Sequence, residues 1–312
     1  MIKIGIVGLN EGNGHPYSYS AMFNGFDPQA LKKECDFELI KDYLPRDHRN
    51  KNLIKGAKVT HIWTQDKNLS KKVSKVSLIQ NICSDYKELV NNVDAVIIAR
   101  DDVSNHMKFI EPVLKKGLPI FIDKQMVSEI NDFKRLKKVL SKNYPFLAGS
   151  PVKYNRKLNS LIKEIKPQEI KFIQGTSKSN WLRYGHHLLE GIFKIVNSKV
   201  ISVRIFSNKN TETVLIKFQK NINVILNFSE DIALPIEARF YLKSKNYKNF
   251  EFDDYVYSIR SLMKEFLDIC ISKKPPKKTQ DIFNIASLVL AGEVSKKNYG
   301  APISPVNFKK VK

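Results

Sequence analysis

The sequence predicts an α/β protein of two domains: a doubly wound parallel sheet over residues 1–148, then an α+β domain over 149–312 with an open, mostly antiparallel sheet. Three observations predict it. Short apolar runs, IKIGIVG (2–8), VTHIW (59–63), AVIIA (95–99), LPIFI (118–122) and PFLAGS (145–150), alternate with amphipathic stretches, as expected of strands buried on both faces of a parallel sheet. Beyond 150 the alternation stops. VISVRIF, TETVLIKFQ, INVILNF and IEARFYLKS then follow one another with turns alone, as in an antiparallel meander. Finally, 312 residues exceed the ~250–300 at which a single core stops growing.

The clearest stretch is 93–127. AVIIA is a β-branched run, and after it Asp101, Asp102 and Ser104 offer side-chain oxygens to cap a helix in which Phe109, Ile110, Val113 and Leu114 recur at helical spacing. Gly117 stops that helix and LPIFI leads to Asp123-Lys124-Gln125, which completes one right-handed βαβ crossover. Ligands of such sheets bind beyond the carboxyl ends of the strands, so Arg100 to Asp102 and Asp123 to Gln125 share one rim. Before it, IKIGIVG runs into the turn Gly8-Leu9-Asn10-Glu11-Gly12-Asn13-Gly14, and Ser18 to Asn24 follows as a short helix. From Gly25 to Gly56, around YLPRDHRN, the chain reads as an irregular inserted loop. Helices are expected over 68–76, 86–90, 130–141, 182–196, 255–272 and 281–296, with Pro275-Pro276 parting the last two.

Composition excludes several classes. The net charge of +22 suggests nucleic acid, but only nine of 53 basic residues are Arg, whose fork reads phosphates and base edges; a solvated lysine-rich surface with no specific nucleic-acid partner is the expectation. No apolar run approaches the ~18–20 residues of a membrane span, and MIKIGIVGL lacks the cleavage site of a signal peptide, so a cytoplasmic protein with no membrane partner is expected. Cys35, Cys83 and Cys270 suggest neither a disulfide framework nor zinc, and no metal site is expected.

The candidate chemistry follows from the rim. Gly8, Gly12 and Gly14, with Asn10 where a glycine would be usual, form an imperfect phosphate cradle ahead of a helix. His15, just past that turn, is placed to face the cofactor or a substrate. The ribose-binding carboxylate usually ends the second strand; here Thr64 takes that place with Asp66 two residues later, which leaves NAD or NADP open with a lean to NAD. Arg100 and Asp101 join the cofactor-facing set. Lys124 at a strand's carboxyl end can orient a substrate hydroxyl and stabilise developing alkoxide. In WLRYGHHLLE, His186 and His187 offer an imidazole able to accept and return a proton, and their adjacency is the wrong spacing for a shared metal. His61 and His106 read as structural.

These segments together resemble the Gfo/Idh/MocA oxidoreductases: the IKIGIVG start, the DAVIIA strand with its histidine-bearing helix, GLPIFIDK where that family has an EKP-like motif, the GHH segment and the closing SLVLAGEVSKKNYGAPI. The resemblance implies a Rossmann-type domain for the nicotinamide cofactor, a second domain closing over a sugar or cyclitol, and a homodimer or homotetramer. It matches Lys124 to the motif lysine and His187 to the catalytic histidine, with Arg183, Tyr184 and His186 beside the substrate. The implied activity is hydride transfer between nicotinamide and a secondary hydroxyl or keto group. Gln125 departs from the motif's proline, and Arg183 stands where many members have an aspartate. A catalytically silent sensor of nucleotide or sugar on the same fold is the alternative.

Overall fold

The computed structural model describes residues 1–10, 12–46 and 52–305. The chain divides into two compact units: residues 1–126, 136–148 and 255–277 form the first, and 127–135, 149–254 and 278 onward the second.

In chain order the elements are β1 (Ile2–Val7), α1 (His15–Asn24), α2 (Pro28–Glu34), α3 (Glu38–Tyr43), β2 (Ala57–Trp63), α4 (Lys67–Val76), β3 (Asn81–Ile82), α5 (Tyr86–Asn91), β4 (Ala95–Ile98), α6 (His106–Lys116), β5 (Ile120–Asp123), α7 (Ile130–Leu140) and β6 (Phe146–Gly149). Their sheet has the order β3-β2-β1-β4-β5-β6, with β1 parallel to β2 and β4, and β4 parallel to β5. This is the doubly wound order, with the chain reversing direction across the sheet at β1 and β4. The apolar runs account for it: Ile4, Ile6, Ala95 to Ile98 and Ile120 to Ile122 are all fully buried, so no face of these strands is left for water. Gly117 ends α6 in the left-handed conformation, with φ 70°.

Two readings of this half change. The stretch from 25 to 56 is not an irregular loop, because Asp27 caps α2 through the amides of Gln29 and Ala30 and α3 follows it. Residues 47–50 of YLPRDHRN lie outside the described residues. Nor do Asp101 and Asp102 cap the helix after β4, for a 3-10 turn (Val103–Asn105) leads into α6 and neither start has a side-chain cap. Asp102 is taken by Arg100 and Asp101 by Asn10 and Lys124.

The chain continues as α8 (Arg156–Glu164), β7 (Ile170–Lys178), α9 (Trp181–Ile195), β8 (Val200–Ser207), β9 (Thr211–Phe218), β10 (Asn223–Ser229), β11 (Glu237–Leu242), β12 (Tyr247–Glu251), α10 (Tyr255–Ser272) and α11 (Thr279–Lys297). The second sheet runs β12-β11-β7-β10-β9-β8. The expected meander holds only for β8 to β10. Strand β7, absent from that expectation, enters between β10 and β11, parallel to the first and antiparallel to the second. IKFIQGTSK puts Gly175 and Ser177 on its buried face and Phe172 on the other, which is why the period-2 signal is weak there. One face of the sheet, with Val203, Val214, Ile216, Leu226, Phe228 and Phe240, is buried beneath α9 and α11.

Candidate active site

In the first unit β1, β4 and β5 are neighbours, so their carboxyl ends converge. Asp123 ends β5 and is fully buried. It accepts from the Tyr19 hydroxyl at 2.7 Å and from Asn13 Nδ2 at 2.9 Å, and it pairs with His15 Nδ1 at 2.6 Å. Burial alone would raise its pKa, but His15, Lys124 and the hydrogen bonds outweigh that and hold the carboxyl well below the usual range. The converse holds for Tyr19, whose phenol burial and the Asp123 charge push well up.

Lys124, only 2% exposed, sets its ammonium 3.6 Å from Asp123 and 3.4 Å from Asp101. Its backbone is left-handed, φ 62°, a conformation that costs a non-glycine residue about 1 kcal/mol and clusters at functional sites. A proline at 125 would bias residue 124 toward extended backbone, so Gln125 suits the turn that aims this lysine. Asn10 clasps Asp101 twice, donating from Nδ2 at 2.5 Å and accepting the Asp101 amide at 3.0 Å. Where the sequence pattern shows a lost glycine, the structure shows a side chain ordering the lysine's second carboxylate.

The glycine turn has its own constraints. A Cβ on Gly8 would lie 2.8 Å from the Ala99 carbonyl, and one on Gly14 would lie 2.5 Å from Ile40 and 2.7 Å from Phe37. Gly14 therefore makes room for α3 rather than for a ligand. The first amides of α1 are used: His15 N–H donates to Asn13 Oδ1, Pro16 has none, and Tyr17 N–H donates to Gly14. The exposed part of this turn is Gly12, whose φ is 80°.

At the end of β2, the Thr64 hydroxyl donates to the Asp66 carbonyl at 2.5 Å and lies 2.9 Å from Ser70 Oγ, while Asp66 caps α4 through Asn68 and Leu69. Both candidate ribose residues thus have local duties. Arg100 grips Asp102 with two bonds, 2.7 and 2.6 Å, reaches Gln65 Oε1 at 2.8 Å and lies over the Phe109 ring. Although burial would raise the Asp102 carboxyl's pKa, these bonds and that from Asn105 leave it lowered. His106 is structural: fully buried, its ring joins the Met126 and Arg100 carbonyls, and burial depresses its proton affinity. His61, by contrast, sits within β2 against Thr60.

In the second unit α9 carries the histidines. Asn180 caps it through the Arg183 amide, Glu212 accepts the Trp181 amide at 2.6 Å, and Lys296 pairs with Glu212. His187 is 4% exposed, with Nδ1 2.5 Å from Ser150 Oγ and its ring against Tyr184 at 4.9 Å. His186 faces Glu190 at 3.3 Å, one helical turn on, while Arg183 is half-buried on the same helix. Burial opposes ionisation of Glu190, but Lys153 and His186 keep its carboxyl below its ordinary range. Sequence reasoning missed Asn13, Tyr19, Gln65, Ser150 and Glu190. The rule about carboxyl ends of strands would have flagged Ser150, which follows β6; nothing in a single sequence marks Tyr19. Among the described residues no group of three or more His, Cys, Asp or Glu is placed to hold a metal, and no helix is long and apolar enough to cross a membrane.

An open parallel sheet in this strand order, with a glycine turn after β1 and polar groups massed at its carboxyl rim, defines a dinucleotide-binding domain. Residues 2–147 match the model of the oxidoreductase family with an NAD-binding Rossmann fold, Gfo/Idh/MocA. An uncharacterized protein of Methanocaldococcus jannaschii is 35% identical over 117 residues, covering 36% of this chain and 33% of the other, so the match spans about a third of that relative's length. Scyllo-inositol dehydrogenase from Lactobacillus casei, solved with NAD(H) and scyllo-inositol, superposes with a TM-score of 0.73 at 16% identity, over 98% of this chain and 99% of that one. KijD10, a 3-ketoreductase from Actinomadura kijaniata solved with TDP-benzene and NADP, gives 0.70 at 13%, over 94% and 97%. At these identities the structural likeness carries the fold, and it extends through both units.

Proposed function

We propose that the protein is an NAD(P)-dependent oxidoreductase that moves a hydride between nicotinamide and a secondary hydroxyl or keto group of a sugar, sugar derivative or cyclitol. The observation that carries this is the buried ammonium of Lys124 between the carboxylates of Asp101 and Asp123, on the rim of an NAD-binding domain. When bound, the cofactor accepts or gives up the hydride. The backbone about Gly8, Asn10 and Gly12 holds its pyrophosphate, while Thr64, Gln65, Asp66 and Arg100 border the ribose. Lys124 donates to the substrate oxygen and steadies alkoxide as it forms; His187 takes the hydroxyl proton in oxidation and returns it in reduction. Arg183, Tyr184 and His186 line the substrate, and the Arg183 guanidinium suits a carboxylate or phosphate upon it. The inositol bound to one structural neighbour supports the substrate class.

The test is a fluorescence titration with NADH and NADPH, followed by a panel of cyclitols, sugars and sugar nucleotides read at the nicotinamide absorbance. Saturable binding, NADH at least as tight as NADPH, and turnover on a panel member are expected. Saturable binding without any turnover would sink the reaction and leave a sensor.

The outer face of the second sheet presents Phe206 at 43%, Ile225 at 38% and Tyr247 at 56% exposure, with Phe172 stacked on Tyr241 at 4.2 Å. Apolar side chains spread over an open face support a homodimer or homotetramer built there. Light scattering is expected to give a multimer for the native chain and a monomer for Ile225→Asp; an unchanged mass in the variant rules this face out.

A further inference from the structure

We infer that Ser150 is a positioning residue for His187, its hydroxyl holding Nδ1 and so fixing the ring plane and tautomer in which the histidine exchanges protons at Nε2. The inference rests on the role proposed for His187.

Ser150 is itself held from both sides. Gly149 has φ 135°, and a Cβ there would lie 2.2 Å from Glu190 Oε1, so the carboxylate occupies the space that a side chain would need. The same oxygen accepts the Ser150 amide at 3.4 Å. On the other side Ser150 Oγ accepts the Val152 amide at 3.2 Å and caps the 3-10 turn Pro151–Tyr154. Ser150 has no exposed surface.

The hydroxyl has two lone pairs and one proton. Val152 fills one lone pair, and His187 Nδ1 stands 2.5 Å away, opposite the other. If Nδ1 carries the ring's proton it donates into that lone pair, and the Nε2 lone pair becomes the base. Once Nε2 has taken a proton, the Nδ1–H bond to Ser150 persists and is strengthened by the ring's charge, so one serine orientation serves both ring states. The opposite arrangement, with Ser150 donating to Nδ1, puts the proton on Nε2 and requires the hydroxyl to turn whenever the ring is charged. Ser150 also brings no charge. The ring lies against Tyr184, and nearby Glu190 is engaged with His186 and the Ser150 amide. The Nδ1 side of the ring is therefore held by a neutral acceptor, whose loss removes no charge from that side.

The test is a pH series of two-bond proton–nitrogen spectra on the full chain with labelled histidine, with His187→Gln used to identify the resonances. The native neutral ring is expected to be protonated on Nδ1, and Ser150→Thr, which keeps the hydroxyl, to look the same. Ser150→Ala is expected to lose the fixed tautomer and to shift the titration midpoint by about half a pH unit or more. Should Ser150→Ala fail to fold, Ser150→Gly, tolerated at a cap position, removes the same hydroxyl, and the same loss is expected. A native neutral ring protonated on Nε2, or folded variants with native tautomer and midpoint, overturns the proposal. The spectra need no turnover. A chain inactive on every substrate but with a Ser150-dependent ring sinks the reaction alone, and an active chain with a Ser150-independent ring sinks only the present inference.

Discussion

Lys124→Ala is expected to abolish turnover while NADH affinity in fluorescence titration stays nearly native. In the proposed mechanism the ammonium donates to the reacting oxygen, whereas it reaches the turn proposed for the pyrophosphate only through Asp101 and Asp123, which Asn10 and Asn13 still hold in the variant. The variant also leaves Asp101 and Asp123 facing each other, both buried, without the cation between them. Removing one partner of a buried charge group costs about 3–5 kcal/mol, so a lower melting temperature should accompany the lost activity. Lys124→Arg separates the two effects: it keeps a positive charge and much of the stability, but a planar fork cannot replace a compact ammonium, and turnover should stay low. Full activity in Lys124→Ala would remove the lysine from the mechanism.

A second large effect is expected at Asp123. Asp123→Asn removes the charge on which Tyr19, His15, Asn13 and Lys124 converge, and a loss of about 3–5 kcal/mol should appear as a fall of roughly 10 °C in the melting temperature. Its signature lies in acid. The carboxyl's folded pKa is depressed below the ~3.9 of an unfolded aspartate, so the stability it contributes is complete above about pH 4 and drains away as pH falls through the folded value. Native protein should therefore lose stability steeply below pH 4, and Asp123→Asn should lose less over the same interval. Parallel curves in chemical denaturation would show that the buried cluster does not depend on this charge.

How much of this was legible depends on where each signal resides. The parallel sheet was, because burial on both faces forces continuous β-branched runs such as AVIIA, and nothing else in the chain reads that way. Lys124 was legible by position, at the end of such a run. Its environment was not: Asn10, Asn13 and Tyr19 reach Asp101 and Asp123 across 91 to 110 residues, and a single sequence carries no mark of a contact between distant side chains. Strand β7 escaped for a different reason. A strand with Gly175 and Ser177 on its buried face and Phe172 on its outer face loses the contrast that period-2 reading requires, so its insertion beside β10 was invisible, although β8 to β10 were not. The segment 25–56 was misread because α2 and α3 are 7 and 6 residues long, too short for helical periodicity to show.

Helix α10 belongs to the first unit although some hundred residues of the second precede it in the chain. Phe266 meets Phe121 of β5 at 5.9 Å, Tyr255 stacks on Tyr43 at 5.1 Å, and Leu262, Met263 and Phe266 are fully buried. On the ribosome, then, the cofactor domain emerges first but cannot close first. From the completion of β6 until residue 277 has been made, the apolar surface over β5 and α3 waits uncovered, and a polypeptide cut at residue 148 would keep it so, sticky and in need of a chaperone, however complete its sheet.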